Sequence, residues 1–357
     1  MIVTTSICAN YLPKAMVLAK SLKETNPAAQ FIVCLLERDI HPAAQSCEHF
    51  DDVILAKDLG FEQFEKFIFK HSIVEASTAV KGQLFLYLLR RYTAEDRFVY
   101  LDPDIKVYGE LTELAEAMDR HPIVLTPHLC HPEDIMDAVM DNELSALQHG
   151  VFNLGFLAIS RSEEAVRFAE WWASRLAMFC FDDIPRGIFT DQKWIDLAPC
   201  YFDVYILKHP GYNVAPWNLS RRKLSAAAGG CLVNGQPLRF FHYSGFDSGA
   251  NEGMINKYVP DRSNVVYLLR DEYVRELHEA DQTHLGRTNW SYDFYRSGER
   301  IQRDARIVYR DTPEILYRVD NPFALGNEYF ERYISVEQVA GNVIRQGKKL
   351  LKRLINR

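Results

Sequence analysis

Phe98-Val99-Tyr100-Leu101-Asp102-Pro103-Asp104-Ile105-Lys106-Val107 is an apolar run interrupted by two carboxylates two positions apart. The apolar, β-branched and aromatic content of Phe98–Leu101 reads as a strand. Residues i and i+2 of an extended segment point the same way, and Pro103 fixes the backbone between them. Asp102 and Asp104 are thereby placed to share one divalent cation at a strand end. A hard cation prefers oxygen ligands, keeps several waters and readily takes phosphate oxygens. The competing reading is a pair of carboxylates in a solvated turn.

Outward from this stretch, short β-branched runs alternate with longer helical ones, the pattern of an α/β fold with a mixed, mainly parallel sheet flanked by helices. Ile2 to Cys8 reads as the first strand. Pro13 to Glu24 reads as a helix with Ala15, Leu18, Ala19 and Leu22 on one face. Strands are expected at Phe31 to Leu36, Asp52 to Leu55, Ile123 to Thr126, Phe156 to Ile159 and Tyr205 to Leu207, and Arg239 to His242 is expected to complete the sheet. Helices are expected at Ser77 to Tyr92 and Glu163 to Phe179. Past residue 262 the composition becomes charged and helical. The expected division is therefore a catalytic domain over 1–261 and a mainly helical appendage over 262–357, with Trp290 to Tyr295, Arg306 and Arg310 as a packing module.

The chain has 357 residues, 48% of them hydrophobic, which is ample for a large core. A net charge of −7 argues against general nucleic-acid binding, which needs a basic face. Seven cysteines without a CxxC pair suggest neither a disulfide framework nor a zinc ribbon. His128, Cys130 and His131 sit in one tight turn with Pro132 and make a poor zinc site. The first residues lack a basic n-region and a long apolar h-region, and no stretch reaches membrane-spanning length. A reducing cytoplasm is the expected compartment.

Four motifs in this order resemble the GT-A glycosyltransferases that use nucleotide-sugar donors, and among them the bacterial enzymes similar to glycosyltransferase family 8. They are Tyr100-Leu101-Asp102-Pro103-Asp104-Ile105, Val151-Phe152-Asn153-Leu154-Gly155-Phe156, Thr190-Asp191-Gln192 and His242-Tyr243-Ser244-Gly245. The resemblance covers residues 1–250. It implies a metal set of Asp102, Asp104 and His242 holding manganese, with magnesium as the alternative, against the diphosphate of the donor. The family's Lys-Pro-Trp after the histidine motif is absent from Gly245-Phe246-Asp247-Ser248-Gly249, which leaves the second cation for the diphosphate unassigned. Lys81, in Thr78-Ala79-Val80-Lys81, stands where such enzymes carry a donor-binding basic residue; the alternative is a lysine on a solvated helix face.

Other candidates follow from position and chemistry. The first strand's exit offers the crevice of an α/β sheet, so Thr5, Ala9, Asn10 and Tyr11 are candidate nucleotide contacts, with Glu37 a further one. Asn10 and Pro13 also suit a plain helix entry. Asn153 both donates and accepts, which suits sugar hydroxyls, while Gly155 and Gly245 let backbone approach a ligand or pack tightly. Asp191 and Gln192 suit two hydroxyls of the donor sugar, or Thr190-Asp191 is a helix N-cap. His209 to Leu219 lines the acceptor side or is an ordered loop.

The function expected from these residues and this resemblance is transfer of a sugar from a nucleotide diphosphate to a glycan or lipid-linked acceptor in bacterial surface polysaccharide synthesis, and the resemblance alone implies a UDP-linked donor. No residue declares itself as the base that an inverting enzyme needs, although Asp191 and Asp134 remain candidates; the motifs instead resemble those of retaining enzymes, and this resemblance implies retention. The rivals are a haloacid-dehalogenase-like phosphatase using Asp102 as nucleophile and a sugar-nucleotide-binding protein without turnover. The stretch 344–357 carries six basic and no acidic residues, with Ile344, Leu351, Leu354 and Ile355 on one helical face. It reads as peripheral contact with an anionic inner membrane, a solvated helix or a dimer contact.

Overall fold

The computed structural model describes residues 1–333, so the basic stretch 344–357 lies outside the described residues. These divide into two compact units, Met1–Phe61 with Ile73–Trp290, and Glu62–Ser72 with the residues from Ser291 on. The expected boundary after residue 261 does not coincide with this division. The reason is a helix at Val265–Glu279 whose Tyr273 and Leu277 are buried in one apolar cluster with Val17, Phe241 and Tyr243 of the first unit. Trp290 likewise belongs to the first unit, where its Nε1 donates to Leu36 O at 2.7 Å.

The first unit is built on a mixed sheet of seven strands. In chain order these are β1 (Ile2–Ile7), β2 (Gln30–Leu35), β3 (Asp52–Leu55), β4 (Arg97–Leu101), β6 (Ile123–Pro127), β7 (Phe152–Ser160) and β8 (Val204–Ile206), and β5 (Ile105–Val107) lies outside that sheet. Their spatial order is β8-β6-β7-β4-β1-β2-β3. β7 runs antiparallel to both β4 and β6, and every other pairing is parallel. All six residues of β1 are buried, as a central strand covered on both faces requires. Each such Val or Ile side chain contributes about 1.5–3 kcal/mol of burial.

Helices α1 (Leu12–Thr25), α2 (Ile73–Ala79), α3 (Lys81–Arg91) and α4 (Glu163–Phe179) cover the sheet. The single helix expected over Ser77–Tyr92 is thus two, with Val80 between them. At Gly82 an added Cβ would lie 2.6 Å from backbone atoms of Ala173, so α3 and α4 approach in a way only glycine permits. That approach fixes the start of α3, where Lys81 lies.

Two departures from expectation position the site. The strand expected at Phe156–Ile159 begins earlier, at Phe152, which puts Asn153 and Gly155 on the sheet. The strand at Phe240–His242, here β9, does not complete the large sheet. It pairs antiparallel with β5, so that His242 stands opposite Ile105. The reason is the break at Asp102–Asp104, where the chain leaves β4 and β5 becomes free to take a new partner. The helix at Val265–Glu279, here α6, then packs on the Tyr243 side, its Tyr273 ring stacked on Tyr243 at 3.9 Å between centroids.

In the second unit Phe69 is surrounded by the rings of Tyr295, Tyr309, Phe323 and Phe330. Arg306 is buried and donates to Phe69 O at 3.1 Å and Tyr292 O at 2.7 Å. Among the described residues no helix is long and apolar enough to cross a membrane.

Candidate active site

Asp102 follows the last residue of β4, and its backbone N–H donates to Gly155 O on β7 at 2.8 Å. The turn Asp102–Asp104 closes with Ile105 N–H on Asp102 O at 3.1 Å, and Tyr243 N–H donates to Asp104 O at 2.8 Å. The two aspartates and His242 are thereby locked together by main-chain bonds. His242 Nε2 lies 3.1 Å from Asp104 Oδ1 and 3.8 Å from Asp102 Oδ2. One ligand atom from each of the three residues lies within 4.8 Å of the others. The expected metal set is therefore assembled in space.

The donor set fits a divalent cation of the manganese or magnesium type: two carboxylates and one imidazole, a set that such ions complete with water and phosphate oxygens. Gly155 makes the arrangement sterically feasible. A Cβ there would stand 2.4 Å from His242 Cε1 and 2.8 Å from Asn153 Oδ1. Behind the ring, His242 Nδ1 is 3.1 Å from Asn213 Oδ1, so the nitrogen facing Asn213 carries the proton and Nε2 is left to face the carboxylates. Burial alone would hold the imidazole below its ordinary pKa, but the charges of Asp104 and Asp102 outweigh it and the net shift is upward. Asp104 is mostly buried, which raises its carboxyl, yet His242 and Lys14 outweigh this and the net shift is downward.

A chain of amides extends from His242 to Gln192. Asn213 Nδ2 donates to Asn153 Oδ1 at 2.9 Å, and Gly155 N–H donates to the same oxygen at 3.1 Å. Gln192 Oε1 accepts from Leu154 N at 3.0 Å and from Asn153 Nδ2 at 3.4 Å, while Gln192 Nε2 donates to His149 O at 3.2 Å. His128 joins through Nε2, 3.1 Å from Asn153 Nδ2. Asn153 and Gln192 thus spend much of their hydrogen-bonding capacity on one another and on backbone. Asn213 was not singled out by the sequence, because a lone amide within His209–Leu219 has no periodicity or spacing that marks it. Its positive φ of 52° gives it an unusual backbone and is the one local oddity. From the same segment the Trp217 ring meets the His242 ring edge to face at 5.3 Å.

Lys81 is not on a solvated helix face. Its buried ammonium lies 3.3 Å from Asp102 Oδ1, 3.0 Å from Asp191 Oδ2 and 2.9 Å from Leu154 O, above the Tyr100 ring at 4.2 Å. Burial disfavours the ammonium, and the two carboxylates outweigh it, so Lys81 stays cationic. It links Asp102 to Asp191, which is itself buried, pushed upward by that burial, and bonded by Thr190 Oγ1 at 3.1 Å. Asp191 precedes the short helix α5 (Gln192–Ile195), but its side chain does not cap it. The N-cap reading fails because the carboxylate is turned to Lys81.

At the end of β1, Thr5 Oγ1 and Asn10 Oδ1 are buried atoms with no hydrogen-bond partner among the described residues, as groups reserved for a polar ligand would be. Ala9 N–H donates to Glu37 Oε1 at 2.9 Å, so Glu37 pins this loop. The Tyr11 hydroxyl and the Lys14 ammonium both reach Asp247 Oδ2, at 3.0 and 2.5 Å. Gly245, at φ 74°, opens the turn that carries Asp247.

A mixed α/β sheet with an Asp-x-Asp and a histidine gathered where β4 ends is the arrangement of nucleotide-sugar transferases of the GT-A fold. Residues 2–166 match the sequence model of Glycosyl transferase family 8. The chain is a glycosyltransferase of GT-A fold, similar to that family, and the phosphatase reading falls. Among relatives, the uncharacterized protein YfnF of Bacillus subtilis (strain 168) is 22% identical over 247 residues, which is 68% of this chain and 80% of that one. Among solved structures, the galactosyltransferase LgtC in complex with donor and acceptor sugar analogs is 15% identical with a TM-score of 0.44, covering 78% of this chain and 96% of that one. The apo form of mouse xyloside xylosyltransferase 1 is likewise 15% identical, with a TM-score of 0.38, covering 68% of this chain and 96% of that one.

Proposed function

We propose that this glycosyltransferase moves a sugar from a UDP-linked donor to a glycan or lipid-linked acceptor of a bacterial surface polysaccharide, with a divalent cation, manganese or magnesium, bound by Asp102, Asp104 and His242. The observation that carries the reading is the convergence of those three side chains within 4.8 Å over a glycine that His242 could not pass if it bore a Cβ. A cation there neutralises negative charge on the leaving diphosphate. The chain's own residues do the rest. Asn213 sets the imidazole tautomer, Lys81 holds Asp102 and Asp191 in place, and the free oxygens of Thr5 and Asn10 suit the nucleoside. Asp191 would orient the donor sugar and stabilise positive charge at the anomeric carbon.

An acceptor with an apolar part is supported by Met136, Met140, Leu144 and Leu147. All four are exposed on the consecutive helical segments Met136–Ala138, Val139–Glu143 and Leu144–His149, the last of which is tied to Gln192 through His149 O. A cytoplasmic site of action, with the 344–357 stretch on an anionic inner membrane, fits such an acceptor. The test is donor hydrolysis by the purified protein over a panel of nucleotide sugars, with manganese, magnesium or chelator. Metal-stimulated release of UDP from one UDP-sugar is expected; UDP binding without any turnover would leave a binding protein, and activity indifferent to chelator would refute the metal assignment.

A further inference from the structure

Lys81 has no donor left for a phosphate, because an ammonium has three and all three face Asp102, Asp191 and Leu154 O. On another side of the cluster stands Lys14, in the first turn of α1. Its side chain is only 2% exposed, its Nζ is 2.5 Å from Asp247 Oδ2, and it lies 4.1 Å from the centroid of the Tyr11 ring. The Tyr11 hydroxyl donates to the same carboxylate oxygen at 3.0 Å. Both donors lie in the field of the metal cluster, since the charge of Lys14 bears on Asp104 and the charges of Asp104 and Asp102 bear on Tyr11. An oxygen anion is thus already seated beside the cluster, and it belongs to a side chain that is 50% exposed. Asp247 rides on the turn 244–249, in which Gly245 and Gly249 both adopt left-handed torsions, at φ 74° and 77°.

We propose that Lys14 and Tyr11 form a phosphate seat beside the metal cluster, and that Asp247 fills it in the donor-free protein and is displaced by the diphosphate of the donor. The inference rests on the UDP-sugar reading above. A buried lysine is costly without a counter-charge, and exchange of one anion for another keeps Lys14 paired in both states. The exchange also removes a carboxylate from a cleft that already holds Asp102 and Asp104, just when a polyanion arrives. Because the seat opens only when Asp247 leaves, the apparent affinity for the diphosphate is reduced by the fraction of protein in which it has left.

Calorimetric titration of the full chain in manganese, with UDP and separately with inorganic pyrophosphate, tests this. Asp247→Asn is expected to bind both severalfold more tightly than wild type. Lys14→Met is expected to weaken both by roughly ten- to a hundredfold, the worth of a charge-assisted hydrogen bond. In the Lys14→Met background, Asp247→Asn should add nothing. Wild-type binding that Asp247→Asn leaves unchanged or weakens overturns the proposal, and this arm decides alone if Lys14→Met does not fold. A wild-type protein that binds neither ligand overturns the UDP-sugar reading itself.

Discussion

Asn213 holds His242 from behind: its Oδ1 lies 3.1 Å from Nδ1 of the ring, while its Nδ2 is committed to Asn153 Oδ1 at 2.9 Å. The second bond fixes which way the amide points, and the first then fixes the tautomer, so the imidazole presents Nε2 to Asp104. Removing the amide leaves the ring free to turn and to carry its proton on the wrong nitrogen.

Asn213→Gly is therefore expected to weaken manganese binding by about ten- to a hundredfold, the usual effect of losing a partner behind a metal-binding histidine. Glycine is the right replacement because Asn213 has a φ of 52°, which glycine adopts without strain. Titration of the metal followed by calorimetry, alongside a thermal melt, checks it. Manganese affinity equal to wild type would show that Asn213 is only a loop residue.

Gly155→Ala probes the same ring from the front. A Cβ 2.4 Å from His242 Cε1 cannot be accommodated without displacing the ring, because Asn153 Oδ1 blocks the other side at 2.8 Å. Overpacking of this kind costs about 1–3 kcal/mol. The variant is expected to lose both stability in chemical denaturation and metal-stimulated turnover. A stable, active variant would mean that β7 and β9 are further apart in solution.

Asp104→Asn removes an anionic ligand while keeping shape and the backbone bond from Tyr243. Loss of most metal-dependent donor turnover is expected, with the fold intact by circular dichroism, and His242→Ala should be similar but less complete. Near-normal manganese stimulation in Asp104→Asn would refute the metal set.

Much of this was legible in the sequence. β4 announces itself because both faces of a central strand are apolar, β1 because Ile2 to Thr5 are all β-branched, and Asp102 and Asp104 because a carboxylate pair abruptly ends an apolar run. What escaped was set by contacts distant in sequence. For Lys81 the sequence leaves two readings open, and the solvated helix face is excluded only by Asp102 and Asp191 closing on it from two other elements. The pairing of Phe240–His242 with Ile105–Val107 depends on the break after β4 and not on any pattern in either strand. Asn213 and Lys14 act on partners 29 and 233 positions away, His242 and Asp247.

His128 gives the protein a titration below neutrality. Burial, with the nearby His242 and His149, holds its imidazole down to about 4, and its Nδ1 is buried with no hydrogen-bond partner among the described residues. The folded form is therefore the weaker base. Its contribution to stability is complete above the unfolded value of about 6.5 and is lost as pH falls from there toward 4. Wild type is expected to lose about 2 kcal/mol more than His128→Gln between pH 7 and 4.5, a figure below the full shift because the residue is not wholly sealed from solvent. Urea denaturation at both pH values measures it, and parallel losses in the two proteins would remove His128 from the account.

Stereochemistry tests the role of Asp191. A general base must reach the acceptor hydroxyl, within about 2.6–3.2 Å directly or through one water. Asp191 is buried, with one oxygen on Lys81 and the other on Thr190 Oγ1, so it is poorly placed to collect and release a proton. Asp134, the other candidate, is ion-paired with Arg221 at the surface. If neither carboxylate serves as base, the acceptor's proton would pass to the departing diphosphate on the face from which it leaves, and the new bond would form on that face. Retention of the donor's anomeric configuration is the expected outcome, read by proton NMR of freshly formed product. A β-linked product from an α-linked donor would require a base on the opposite face and would overturn both the retaining mechanism and the orienting role of Asp191.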